Sequence, residues 1–205
     1  MAIERRRLLA MCAAAGSTAL LWPALPAAAE TEIGDNGLYI QDWFLESFLN
    51  LQDDHAEAAE KGKQLAILFE QRGCPYCREL HNVNLADPDI KTYMRKHFNV
   101  IQLDIWGSRT VTDFNGGEME ERALARKWSV NFTPTMVFFP RKLTQANKEG
   151  GKAEVARMPG YLKPFHFISF LEFVNDGDYK TKPFQQFLQD KFQSLKERGI
   201  KPKVW

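Results

Sequence analysis

One short stretch decides the fold that we expect: Gly73-Cys74-Pro75-Tyr76-Cys77-Arg78. An apolar run at 65–69 precedes it and is typical of a buried strand. Glu79-Leu80-His81 follows it and is compatible with a helix. The two cysteines are therefore predicted at the point where a strand turns into a helix.

This position predicts a reactive sulfur at Cys74. The first N–H groups of a helix have no partner within the helix, and the helix dipole is positive at that end, so both stabilise a thiolate there. We expect Cys74 to attack, and Cys77, one turn further in, to resolve the mixed disulfide. Pro75 suits the first helical turn, where its missing N–H is not needed. A C-x-x-C pair in this setting is typical of a redox motif.

Two other uses of the cysteine pair have less support. A structural zinc site takes four ligands, and His81 would complete only three because the sequence contains no second cysteine pair. A purely structural disulfide that closes so short a loop would restrain the unfolded chain little. We therefore expect no metal and no cofactor other than a redox-active Cys74–Cys77 disulfide.

Residues 1–29 have the pattern of an export signal. Arg5-Arg6-Arg7 form a positive start, residues 8–25 are mostly apolar or small, and Ala27-Ala28-Ala29 form a small-residue cleavage site. The arginines and the two leucines after them also resemble the twin-arginine pattern of exported bacterial proteins. A retained membrane anchor is the alternative, but the run is short for a span and contains two prolines. We therefore expect cleavage of 1–29.

Cleavage would leave residues 30–205, which are enough for a single domain with a well-buried core. Of the 3 cysteines, Cys12 would be lost with the signal, and the bulky Met11 before it argues against a lipid anchor there. A secreted chain with one close cysteine pair is unlike a scaffold stapled by disulfides. Residues 1–29 hold three Arg and one Glu, so the formal net charge of +1 would become −1 in the remaining chain, which gives no reason to expect a nucleic-acid partner.

The rest of the chain predicts alternating helices and strands. Helices are predicted at 38–59, after the cysteine motif, from Asp87-Pro88 to 98, and at 119–130, 165–174 and 183–196. Strands are predicted at 65–69, 100–105, 136–139 and 155–158, the last pairing with the one before it. The apolar residues in 108–117 show neither helical nor strand periodicity, so this segment is predicted to be a loop. The apolar stripe of the last helix is expected to pack on the core.

The order of these elements is that of the thioredoxin fold, an α/β fold with a central mixed β-sheet flanked by helices. The chain would add one helix at the N-terminal end and one at the C-terminal end. It also resembles periplasmic thioredoxins of the SoxW type, the redox partners of bacterial sulfur-oxidation systems. The residues that carry this resemblance are Gly37-Leu38, Asp42-Trp43-Phe44, Phe48, Glu70, 73–79, Trp106-Gly107, Thr112-Asp113, Gly116-Gly117 and Phe132-Thr133-Pro134-Thr135.

The resemblance implies a substrate-binding turn opposite Cys74. In such folds the proline at the position of Pro134 is cis, and the backbone of the residue before it, here Thr133, pairs with the substrate. Pro75 and Tyr76 within the motif are expected to contact the substrate as well. The implied substrate is a disulfide of a protein, by resemblance the sulfur-carrier complex of the Sox system, with a membrane thiol transporter as electron donor. We expect a periplasmic monomer.

The sequence departs from ordinary thioredoxins at one position. Those proteins carry a buried aspartate six residues before the first cysteine, where this chain has Leu68. Glu70 is the nearest acid and is predicted to follow the strand. Proton transfer at Cys77 would then involve Glu70 or water. The alternative is that Glu70 is a solvated glutamate on the surface.

Together these features predict a thiol–disulfide oxidoreductase that works outside the cytoplasm and reduces a protein partner. Other enzyme roles remain open: a disulfide oxidase or isomerase, or the reductant for cytochrome c assembly. A non-enzymatic module whose disulfide switches a binding surface is a further alternative. Turnover of a disulfide substrate by the isolated protein separates an enzyme from such a module.

Overall fold

The computed structural model describes residues 31–144 and 150–201. The predicted signal peptide and Cys12 lie outside these residues. Within the described part of the chain, no helix is both long and apolar enough to cross a membrane.

Helices and strands alternate along the chain. The helices are α1 (Leu51–Glu60), α2 (Pro75–Glu79, continued by a π-helical turn at Leu80–Asn84), α3 (Pro88–His97), α4 (Glu121–Lys127), α5 (Pro164–Asn175) and α6 (Phe184–Glu197). The strands are β1 (Gln64–Glu70), β2 (Phe98–Asp104), β3 (Thr110–Thr112), β4 (Glu118–Glu120), β5 (Thr135–Phe138) and β6 (Ala156–Pro159). Short 3₁₀ turns lie at Gly150–Ala153 and Asp178–Lys180.

A mixed sheet with the strand order β2-β1-β5-β6 forms the centre of the fold. Strand β1 runs parallel to β2, with Glu70 beside Asp104, and antiparallel to β5. Strand β6 pairs antiparallel with β5. Every residue of β1 is buried, which explains its continuous apolar run. The predicted fold class, a central mixed sheet flanked by helices, is confirmed.

The sheet separates two apolar cores. Side chains alternate along a strand, so Phe69 belongs to one core and Leu68 to the other. Residues of α1 and α4 complete the first core, and residues of α3 and α5 complete the second. Because both faces of β1 are covered, its C-terminal end and the cysteine motif after it are held in a fixed position.

The predicted start of α3 is confirmed. Asp87 is its N-cap, and the Asp87 side chain accepts hydrogen bonds from the N–H groups of Asp89 and Ile90. Pro88 occupies the first turn.

The apolar stripe of α6 packs against the core over only part of its length. Phe184 and Phe187 lie against the second core, while Phe192 is 48% exposed.

The helix predicted at 38–59 is wrong over most of its length. Only Leu51–Glu60 is helical, and residues 31–50 form an irregular segment. The reason is non-local, because the N–H of Leu45 binds the carbonyl of Val100 on the edge strand β2. Asn50 then begins α1 by accepting a hydrogen bond from the N–H of Gln52. Phe48, which would have lain on the apolar face of the predicted helix, is fully exposed.

The loop predicted at 108–117 is wrong in part, because it contains the first strand of a hairpin. Strand β3 pairs antiparallel with β4. The turn between them is closed by a hydrogen bond from the N–H of Gly116 to the carbonyl of Asp113, and Gly116 has a φ of +81° that favours glycine. Helix α4 starts at Glu121, later than predicted, because Met119 belongs to β4.

Candidate active site

The two cysteines lie where β1 gives way to α2, as predicted. Cys74 is the N-cap of α2, and its sulfur accepts a hydrogen bond from the N–H of Cys77 at 3.1 Å. The two residues form a disulfide with their Cα atoms 5.2 Å apart. Cys74 is 3% exposed and Cys77 is fully buried. The outer sulfur therefore belongs to Cys74, the residue at the positive end of the helix.

The Thr133–Pro134 turn lies against Cys74. The hydroxyl of Thr133 is 3.4 Å from the sulfur of Cys74, and the carbonyl oxygen of Thr133 is 3.6 Å from it. The peptide bond between Thr133 and Pro134 is cis. The carbonyl of Pro134 accepts a hydrogen bond from the N–H of Gly160 at 2.7 Å, which ties this turn to the end of β6.

An aromatic groove runs beside the disulfide. It has a volume of about 510 Å³ and is lined by Tyr76, Phe132, Thr133, Pro159, Gly160 and Tyr161. Tyr76 and Phe132 are 60% and 67% exposed, and the rings of Tyr76 and Tyr161 are stacked. Burial, together with the charge of Glu79, raises the pKa of Tyr161, so its hydroxyl stays neutral at physiological pH. Such a surface suits the apolar side chains of a bound polypeptide.

Sequence reasoning did not assign Tyr161 or Gly160 to the site. Both directly follow Pro159, and β6 ends at that residue. An aromatic residue directly after a Pro-Gly pair is the signal in the sequence that could have indicated them. Pro75 is exposed at the start of α2, next to Tyr76 in the groove.

Glu70 is buried at the end of β1, so the predicted position after the strand and the surface alternative are both wrong. Its side chain is fully buried and lies on the same face of the strand as Leu68. It lies within hydrogen-bond distance of His81 Nε2, at 3.0 and 3.1 Å, and accepts a hydrogen bond from the side-chain amide of Gln102. A buried carboxylate is thus present near the helix that carries Cys77, two residues along β1 from Leu68.

His81 is a partner of Glu70 that the sequence pattern does not reveal, since its spacing from Cys77 points only to a metal ligand. It lies in the π-helical turn after α2 and is fully buried. Among residues 31–144 and 150–201, no group of three or more His, Cys, Asp or Glu side chains is placed to hold a metal ion. His81 instead bonds to Glu70 and Gln41.

A mixed sheet with a cysteine pair at the start of a helix, facing a cis-proline turn, defines a thioredoxin-like protein. The chain belongs to the family described as the thioredoxin-like domain, whose model matches residues 51–175. This fold and the disulfide between Cys74 and Cys77 indicate a thiol–disulfide oxidoreductase.

Solved structures of thioredoxin-fold proteins are similar to it. A thioredoxin-fold protein from Helicobacter pylori is 25% identical, with a TM-score of 0.48, over 64% of this chain and 81% of that one. A thioredoxin from Thermus thermophilus is 25% identical, with a TM-score of 0.46, over 61% and 83%. A structure described as DsbH oxidoreductase is 15% identical, with a TM-score of 0.41, over 81% and 96%. No curated protein matches the chain.

Proposed function

We propose that this protein reduces disulfide bonds in a protein partner, with Cys74 as the attacking residue and Cys77 as the resolving residue. The observation that carries the proposal is the environment of the Cys74 sulfur. It lies at the N-terminus of α2, where it accepts the N–H of Cys77 and meets the hydroxyl of Thr133. All three features favour a thiolate at Cys74 over one at the fully buried Cys77.

The reaction begins from the dithiol form. The Cys74 thiolate attacks one sulfur of the partner disulfide, so a mixed disulfide forms and the other partner sulfur leaves as a thiolate that takes up a proton. Cys77 then loses its proton and attacks the Cys74 sulfur, which releases the second partner thiol. Two electrons pass to the partner, and the protein ends in the Cys74–Cys77 disulfide form described above.

The partner would bind as an extended segment across the Thr133–Pro134 turn. The backbone of Thr133 lies beside the Cys74 sulfur, where it can pair with the backbone around a partner cysteine. Side chains next to that cysteine would enter the groove formed by Tyr76, Phe132 and Tyr161. Pro75 directly follows Cys74 and Pro134 directly follows Thr133, so each proline neighbours a residue on this path.

Glu70 is our candidate for the group that takes the proton of Cys77. Its carboxylate is fully buried and touches His81, which follows Cys77 by one helical turn. A buried base near a buried thiol is needed because water has little access to Cys77.

The cellular setting in this proposal rests on sequence patterns. The pattern of residues 1–29 supports export, and the SoxW-like motifs support a periplasmic role with the sulfur-carrier complex as partner. A membrane thiol transporter would return the protein to the dithiol form. An oxidase or isomerase, or a reductant of cytochrome c assembly, would use the same cysteines, and a binding module would use them without turnover.

Trapping separates the roles of the two cysteines. Cys77→Ser should form long-lived mixed disulfides through Cys74 with periplasmic proteins, because the resolving sulfur is missing. Cys74→Ser is the matched control and should form none. The opposite result would reverse the roles. Reduction of insulin disulfides by the isolated wild-type protein tests for turnover, and its absence would favour the binding module.

A further inference from the structure

Glu70 and His81 form a buried pair, and the groups around it fix the orientation of the imidazole ring. Both side chains are fully buried. Each ring nitrogen of His81 has one hydrogen-bond partner: Nε2 meets Glu70 at 3.0 Å, and Nδ1 meets the side-chain nitrogen of Gln41 at 3.1 Å. The rings of Tyr39 and Phe44 lie 5.3 and 6.0 Å from the imidazole. The ring is therefore held in one orientation.

Trp43 determines which nitrogen of His81 carries the proton. The indole N–H of Trp43 can only donate, and it donates to Oε1 of Gln41 at 2.9 Å. The amide nitrogen of Gln41 must then point at Nδ1 of His81 as a donor, so Nδ1 accepts. The single proton of a neutral imidazole is left on Nε2, from which it is donated to Glu70.

A second amide presents another donor to Glu70. The side-chain nitrogen of Gln102 donates to the backbone carbonyl of Tyr39 at 2.9 Å, which fixes the orientation of this amide. Its second N–H is donated to Glu70. The carboxylate thus receives two N–H groups, and the ionised form, which only accepts, fits both.

We propose that His81 is a positioning residue of the redox site: Gln41 and Trp43 hold it as the neutral tautomer with the proton on Nε2, and its donation to Glu70 keeps that carboxylate an ionised proton acceptor beside the helix of Cys77. The proposal rests on the proposed role of Glu70 toward Cys77. Side chains on a helix lean toward its N-terminus, so the imidazole leans toward the turn that contains Cys77.

Other titratable groups surround the pair. They are Tyr39, whose ring lies beside His81, Asp104, which pairs with Glu70 across β1 and β2, and Cys77, which lies one helical turn before His81. Asp104 directs one carboxylate oxygen to the N–H of Trp106. Arg109 binds the backbone carbonyl of Gln102 and the side chain of Glu121. In the described residues, the side chains that hydrogen-bond to Glu70 are those of His81 and Gln102.

The first test reads the tautomer directly. Long-range ¹H–¹⁵N spectra of the full-length oxidised protein near neutral pH should show His81 with a proton on Nε2 and none on Nδ1. Trp43→Phe keeps a ring but removes the donor that orients Gln41, so Gln41 can turn its oxygen toward Nδ1 and part of the molecules should then carry a proton on Nδ1 of His81. A proton on Nδ1 in the wild type, or an unchanged tautomer in the Trp43→Phe protein, would overturn the proposal whether or not the protein has reductase activity.

The second test measures how the rate of disulfide reduction depends on pH. Insulin reduction is followed from about pH 5 to about pH 9, a range that brackets the neutral optimum of general acid–base catalysis. His81→Leu removes a hydrogen bond that favours the ionised carboxylate, so the acid limb of the profile should move upward. His81→Gln restores an N–H donor and should return the limb toward its wild-type position. Equal loss of rate at every pH in both variants would show a merely structural role and overturn the proposal.

Discussion

The hydroxyl of Thr133 lies 3.4 Å from the sulfur of Cys74, although the two residues are 59 positions apart in the chain. The carbonyl oxygen of the same residue lies 3.6 Å from that sulfur. The turn before β5 therefore supplies both a donor directed at the attacking sulfur and a backbone acceptor beside it. One residue can thus stabilise a thiolate and help to orient a bound segment.

The Thr133 hydroxyl should tune the reactivity of Cys74. Thr133→Val keeps the shape of the side chain but removes the donor, so the thiolate loses one hydrogen bond of about 1 kcal/mol. We expect alkylation of reduced Cys74 by iodoacetamide to slow by about fivefold at neutral pH. Thr133→Ser keeps the hydroxyl and should react at nearly the wild-type rate. Equal rates for the wild type and the Val variant would show that the contact has no effect on the thiolate.

The redox potential should be that of a reductant. Pro75 gives the first turn of α2 no N–H to offer the thiolate. The buried carboxylate of Glu70 contacts His81, one helical turn after Cys77, and would oppose a second negative charge close to it. Arg72 and Arg78 are exposed, so solvent screens their attraction. We expect a potential more negative than roughly −200 mV.

Equilibration in glutathione buffers, followed by thiol labelling, measures this potential. Glu70→Gln removes the opposing charge and should make the potential less negative. A wild-type value near the roughly −120 mV of DsbA would reject the reductant role and favour an oxidase.

Asp54 should make stability depend on pH. It is 6% exposed and accepts a hydrogen bond from the hydroxyl of Ser47 at 2.7 Å. Burial raises the pKa of Asp54 from 3.8 to about 6 in the folded protein. Folding therefore favours the protonated carboxyl of Asp54. The stabilisation that this form provides is fully present below about pH 4 and is lost as the pH rises through about 6.

The loss should be at most about 3 kcal/mol, since one pKa unit corresponds to about 1.4 kcal/mol. Guanidinium unfolding of the wild type and of Asp54→Asn between about pH 4 and about pH 7 measures it by linear extrapolation. The Asn variant cannot titrate, so the wild type should lose stability relative to it as the pH rises. A constant difference between the two proteins would contradict this assignment.

The cap of α3 should contribute measurably to stability. Asp87 accepts hydrogen bonds from the N–H groups of Asp89 and Ile90 at 2.9 and 3.1 Å. Asp87→Ala should lower the free energy of unfolding by about 1 kcal/mol. Asp87→Asn keeps a capping oxygen and should lower it by only a few tenths of a kcal/mol. If both variants are equally destabilised, the charge of Asp87 matters more than the cap.

Local signals were enough to predict most of the central sheet and several of the helices around it. Strand β1 was recognisable from its apolar run, α3 from Asp87-Pro88, and the position of Cys74 from the junction between a strand and a helix. Each of these signals lies within a few residues of the feature that it predicts. Backbone propensity, capping and hydrophobic periodicity act over that same distance.

Features that depend on distant partners were not predictable in this way. The apolar residues before α1 have helical spacing, yet Leu45 binds the edge of β2 and Thr112 binds the carbonyl of Leu49, so the backbone follows these contacts instead. The hairpin of β3 and β4 has strands of only 3 residues each. The stability of so short a hairpin depends on the residues packed around it.

The sequence by itself determined the pair of cysteines, their order along the helix and the proline turn that was expected to face them. Only the tertiary structure showed that Glu70 is buried, that His81 is its hydrogen-bond partner, and that Phe132 and Tyr161 form one groove with Tyr76. The physical reason is that burial and hydrogen-bond partners arise when strands, helices and loops distant in the chain pack together, and spacing along the chain carries no record of that packing.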